Sequence, residues 1–218
     1  MSFVTKWSTG AVATAVLIVL AFGVAAAPMT GLAQSPSRFE LGEGTRVYYR
    51  VREQLVGINF LNDAVGVSDG ISGAIVVGPD GTVDASQSRL TLDMSTFSSD
   101  QARRDNFVRR RVFDVEQFPE AVFVARRATS SPLPPEDSEL PFPIVGFQLI
   151  GDMTLHGATA EMTWDVLATY NDEGVVEGKA QTTFPFSMFD LTAPALPFLM
   201  TVEDEIRLEI DFKATMSQ

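Results

Sequence analysis

The chain has 218 residues, 45% of them hydrophobic, with no Cys, one His and a formal net charge of −12. That acid excess repels a phosphate backbone, which argues against nucleic-acid binding, and offers no general attraction to anionic lipid headgroups. Without Cys there are no disulfides, thiolate nucleophiles or Cys-based metal sites, and one His rules out multi-His metal centres and weakens any Ser-His scheme.

Lys6 is the only charged residue before Arg38. An apolar run from Ala11 to Ala27 follows it, then small residues at Gly31 and Ala33 ahead of the polar Gln34-Ser35-Pro36-Ser37. A basic start, an apolar middle and a small-x-small exit predict a secretory signal peptide over residues 1–33. Cleavage is expected after Ala33, with Ala27 as the second choice. The run is long for a signal core and short for a membrane span, so an uncleaved N-terminal anchor is the alternative. No Cys follows it, which excludes lipoprotein anchoring. The expected location is therefore periplasmic or extracellular. Residues 34–218 are enough for one domain with its own core.

From residue 47 the dominant pattern is apolar alternation with period two, broken by Gly, Asp and Asn. Val47, Tyr49 and Val51 alternate with Tyr48, Arg50 and Arg52. Ile71, Gly73, Ile75 and Val77 follow, ended by Gly78-Pro79-Asp80-Gly81, a turn by composition. Leu90, Leu92 and Met94 form a third run, and Val122 and Val124 a fourth. Phe147, Leu149, Gly151, Met153 and Leu155 share a face up to the reversal His156-Gly157-Ala158. Met162, Trp164, Val166, Ala168 and Tyr170 come next, then the turn Asn171-Asp172-Glu173-Gly174. Ala180, Thr182, Phe184 and Phe186 make a seventh run, and Ile206, Leu208, Ile210, Phe212 and Ala214 an eighth. About eight strands joined mostly by short turns predict an antiparallel all-β barrel or sandwich. Gly73, Gly151, Ala168 and Ala180 on the inward faces would leave space in its interior.

One segment departs from that pattern. Residues 98–114 read SSDQARRDNFVRRRVFD. Ser98 with Gln101 has capping-box spacing, Asp100 suits a helix N-terminus, and Phe107, Val108, Val112 and Phe113 fall at helical spacing. A short helix from about Asp100 to Phe113 is expected, laying Phe107 against the barrel end. Arg103, Arg104, Arg109, Arg110 and Arg111 crowd onto it, either as a phosphate-binding set or as a solvated face paired with Asp100, Asp105 and Asp114. Residues 130–143 hold five prolines and three acids and read as an exposed, semi-rigid loop. Residues 193–200 (APALPFLM) are apolar and lie within a stretch uncharged from Leu191 to Val202. In so acidic a chain this predicts a barrel-end loop, either a plug or a lipid mouth with transient membrane contact. Asp84, Asp93, Asp165 and Asp190 pair at no recognisable spacing, and no turn has a P-loop or dinucleotide pattern, so no catalytic constellation, metal site or cofactor is expected.

Three motifs taken in order resemble the YceI-like family of polyisoprenoid-binding, lipocalin-like proteins. The first is Ser99-Asp100 with Arg104-Asp105, then Phe118-Pro119-Glu120-Ala121-Val122-Phe123. The second is the hairpin Gly151-Asp152-Met153-Thr154-Leu155-His156-Gly157-Ala158-Thr159. The third is Phe184-Pro185-Phe186 through Phe189-Asp190, then Val202-Glu203-Asp204-Glu205-Ile206. The chain departs from the family in the proline-rich insertion and in Asp190-Leu191, where many members have Gly after the Phe. The resemblance implies an eight-stranded antiparallel lipocalin-like barrel with one short helix. It also implies a non-enzymatic function, holding a polyisoprenoid of prenyl or quinone type for storage or transport. A fatty acid or fatty amide in the same lumen is one alternative; a filled barrel acting as a scaffold is another. Lumen candidates are Val47, Tyr49, Met162, Trp164, Val166, Phe184, Phe186 and Phe198. Headgroup candidates are Arg104 and His156.

Overall fold

The computed structural model describes residues 35–130, 144–171 and 173–217. The predicted signal peptide over residues 1–33, with its cleavage sites, lies outside the described residues, as does the proline-rich segment from 131 to 143. Among the described residues no helix is long and apolar enough to cross a membrane.

Ten strand segments form one antiparallel sheet. They are β1 (Ser37–Leu41), β2 (Arg46–Leu55), β3 (Asn62–Ser68), β4 (Ile71–Val77), β5 (Arg89–Asp93), β6 (Glu120–Ser130), β7 (Ile144–Leu155), β8 (Ala158–Tyr170), β9 (Val175–Phe184) and β10 (Leu199–Ser217). The first four are two broken strands: β1 and β2 both pair with β10, while β4 pairs with β1 and β3 with β2. Counted that way the sheet has eight strands, and the pairing of β1 with β10 closes it into a barrel. Closure leaves few unpaired strand edges, which in an open sheet would invite aggregation. At the break between β1 and β2, Thr45 is buried and its hydroxyl bonds the Gly42 carbonyl at 2.9 Å and the Lys213 N–H at 3.1 Å. The side chain thereby replaces ladder bonds that the break removes.

Two segments escape the period-two reading. β1 is only five residues long, and β3 carries its buried face on Ala64, Gly66 and Ser68 with Val65 and Val67 turned outward. Those inward residues are small because Tyr49 on β2 lies across Gly66; a Cβ there would strike its ring. The interior glycines do not widen the lumen as expected. At Gly151, opposite a bulge in β6, the space is filled by neighbouring backbone at Val124 and Ala125, so glycine there permits close strand approach and bending.

The helix is shorter than expected. Helix α1 spans Ala102–Phe107 and runs into a wide turn, Val108–Val112, closed by the Phe113 N–H bonding Val108 O at 2.9 Å. The Ser98–Gln101 capping box does not form; Gln101 precedes the helix without a side-chain cap. Instead the buried Asp105 carboxylate accepts from the Ser99 N–H at 2.8 Å and the Ser99 hydroxyl at 2.6 Å, tying the helix to its own lead-in. Phe107 is only half-buried; Val112 and Phe113 are the residues driven into the core. Phe113 meets Phe97 and Tyr49 with centroids 5.9 and 6.1 Å apart, an aromatic cluster that closes this end of the barrel.

Candidate functional site

Inward rows of the barrel strands line a cavity of about 80 Å³. Its wall includes Val47, Leu90, Phe123, Met153, Trp164 and Leu208 and is apolar apart from Thr91. Trp164 is 6% exposed and meets Phe123 edge-on at 6.1 Å. Its indole Nε1–H is buried and has no acceptor among the described residues, and a buried donor left unpaired costs about 1–3 kcal/mol. Toward the barrel end away from α1, the inward-facing Ile75, Phe147 and Phe212 are only half-buried.

Of the eight lumen candidates, Val47, Trp164 and Val166 line the cavity. Tyr49, Met162, Phe184 and Phe186 are buried in the same core but do not border the cavity. Tyr49 belongs to the aromatic cluster under α1, and Phe186 begins a short 3-10 turn, Phe186–Phe189, whose Phe189 packs edge-on against Phe184 at 5.0 Å. Phe186, Phe189 and Leu191 are anchored in the core and form the plug at this end, while Met188 between them is exposed. Phe198 does not belong to the lumen: it is 55% exposed. Its carbonyl accepts from the Val56 N–H at 2.9 Å, which holds residues 196–200 alongside the β2–β3 hairpin. Ala180, expected to leave interior space, does border the cavity, and wall residues not among the lumen candidates also include Ile71, Leu149 and Ile210. Alternation marks them as inward, but nothing along the chain tells which inward residues border the void.

The two headgroup candidates lie elsewhere. Arg104 on α1 bonds Asp100 at 2.6 Å and approaches the carboxylate of Glu53 on β2 at 3.6 Å. Its charge therefore fastens α1 to β2. Burial pushes the Glu53 carboxyl above its ordinary value of 4.5, with Arg104 opposing that shift, and burial likewise pushes the neighbouring Tyr49 hydroxyl up to about 12. Replacing Arg104 by Ala should cost about 1–3 kcal/mol near neutral pH, because Glu53 keeps its charge and loses its partner. A raised acid pKa disfavours the folded state once the acid ionises. The penalty should therefore shrink as pH falls from the raised folded value toward 4.5, which thermal melts at pH 7 and pH 5 would register. His156 occupies the β7–β8 turn with φ 51°, its ring 4.7 Å from that of Phe118. It packs against Phe118 and is absent from the cavity wall.

The candidate acids are engaged locally. Asp84 accepts from Ser86 and Gln87, Asp93 from Ser95, and Asp165 from Gln148, while Asp190 ends the 3-10 turn in the left-handed region. Among the described residues no group of three His, Cys, Asp or Glu is placed to hold a metal ion. Among the described residues the cavity wall offers only Thr91 as a polar side chain besides the Trp164 indole.

An apolar cavity inside an eight-stranded barrel is an arrangement that many folds share. The sequence decides which: residues 43–214 match the YceI-like domain. The chain belongs to the YceI-like family. A polyisoprenoid binding domain from Saccharophagus degradans has the same fold, with a TM-score of 0.61 at 10% identity over 83% of this chain and 98% of that one. Burkholderia cenocepacia BcnA gives 0.57 at 16% identity over 78% and 96%. A YceI protein of Campylobacter jejuni gives 0.52 at 16% identity over 70% and 85%. Comparison with curated protein sequences finds no match. Within this YceI-like chain, Arg104-Asp105 ties α1 to β2 and to its own lead-in, and Gly151 lets β7 approach β6 closely.

Proposed function

We propose that this YceI-like protein is exported and holds one long apolar lipid, an isoprenoid chain of prenyl or quinone type, inside its barrel for storage or transport. The observation that carries the reading is the apolar cavity walled by Val47, Trp164 and Val166. Its 80 Å³ is below the ~150 Å³ of an engineered cavity that takes up benzene. A chain can therefore occupy it only if wall side chains such as Met153, Leu90 and Leu149 change rotamer, and Met is the most adaptable of these. The unpaired Nε1–H of Trp164 favours a lipid with a carbonyl or amide oxygen over a bare hydrocarbon. That feature keeps a fatty amide as the second reading. Titration of a fluorescent prenyl analogue, with a quinone and a long-chain fatty amide as competitors, tests the proposal. Saturable 1:1 uptake displaced by the quinone supports it. Displacement by the amide alone favours the second reading, and no uptake of any long-chain lipid contradicts both.

A further inference from the structure

Five of the seven large apolar side chains exposed among the described residues lie on two adjoining segments. Val56 (59%), Phe60 (67%) and Leu61 (41%) sit on the β2–β3 hairpin; Phe198 and Met200, both 55%, sit where β10 begins. The segments are held together by the Val56–Phe198 backbone bond and by the pairing of Leu55 with Leu199. Both lack charge, from Gln54 to Asn62 and from Leu191 to Val202, in a chain of net −12. Apolar side chains gathered this way mark a contact surface, since scattered ones need no explanation.

We propose that this tip docks onto the surface of a bilayer of neutral phospholipid. Charge complementarity points to that partner. The run Glu203-Asp204-Glu205 flanks the second uncharged segment, and such acids repel anionic headgroups while costing little at a zwitterionic surface; Asp63, beside the first, is paired with Arg52 at 3.9 Å and Arg207 at 3.5 Å. Part of the local backbone is already committed, Ile58 N–H to Leu55 O at 3.1 Å and Leu199 N–H to Leu196 O at 2.9 Å, so these polar groups enter the headgroup layer already paired. The connection to the barrel interior also fits a lipid surface. The segment that carries Phe198 and Met200 begins at Leu191 and Ala193, which pack on the core directly after the 3-10 plug. Docking therefore acts on the chain that closes this end of the barrel.

The barrel closes entirely within residues 37–217, so a chain beginning at Gln34 folds on its own and excludes the apolar leader from the assay. That chain should co-sediment with phosphatidylcholine vesicles, and phosphatidylglycerol should weaken the binding. Phe60→Ser with Phe198→Ser should reduce partitioning at least tenfold without moving the melting temperature, because both rings are exposed. Should that variant fail to fold, Phe60→Trp supplies a second readout: brominated lipid should quench the new indole and leave the buried Trp164 unquenched. Absence of vesicle binding, equal binding by the serine variant, or self-association through the tip in place of lipid binding would each overturn the proposal. The vesicles contain no isoprenoid, so docking and lumen occupancy fail independently.

Discussion

Replacing Gly151 by Val should leave little or no folded barrel. A Cβ at this position would fall on the Val124 carbonyl oxygen and 2.8 Å from the Ala125 Cα, both backbone atoms of the neighbouring strand. A rotamer change relieves a side-chain clash, but here β6 and β7 must separate, and with them the ladder from Val122–Thr154 to Ser130–Phe147. The cost should reach about 4 kcal/mol or more, against about 5–15 kcal/mol for the whole stability of a typical domain. Gly44→Ala is the control. Gly44 has φ +90° but nothing within 4 Å of a built Cβ, so only the backbone conformation is penalised, by about 1–2 kcal/mol. Circular dichroism melts of the two variants should therefore differ sharply. A Gly151→Val protein melting within a few degrees of the parent would mean that β6 and β7 part freely and that the barrel bend does not depend on glycine.

Replacing Trp164 by Arg should abolish lipid uptake. The indole is almost fully buried on the cavity wall, and a guanidinium there would put an unpaired charge into an apolar lumen. The same charge destabilises the barrel, so lost uptake by an unfolded protein would be uninformative. Ala180→Leu separates the two effects. Ala180 also lines the cavity, and three added carbons fill space without adding charge, at a cost of about 1–3 kcal/mol for overpacking. A folded Ala180→Leu protein should lose at least tenfold in affinity for a prenyl analogue. Normal uptake by both variants, each shown to be folded, would move the lipid out of this lumen.

The parts of the fold legible in the sequence are those where one face of a strand is apolar and the other wet. In β8, Met162, Trp164, Val166 and Ala168 are buried between exposed Glu161, Thr163 and Asp165, and alternation reports that geometry directly. It fails at β3, where Tyr49 fills the interior from the next strand and leaves room only for Ala64, Gly66 and Ser68. It also fails for the apolar segment 193–200. Loss of charge signals a contact surface, but cannot say whether the contact is with the barrel's own interior or with something outside, and Phe198 is turned outward. Arg104 was ambiguous for a similar reason: an Arg that could meet a phosphate is equally able to meet Glu53, 51 residues earlier in the chain (104 − 53) and beside it only after folding.

The central claim is that the lumen holds one long apolar lipid. Native mass spectrometry of the protein isolated from its own cells, followed by lipid extraction, tests it most directly. The expected spectrum shows the barrel carrying a single added mass, and the extract yields an isoprenoid bearing an oxygen acceptor. A spectrum of bare protein that stays bare after incubation with prenyl and quinone lipids would contradict it and leave a filled barrel.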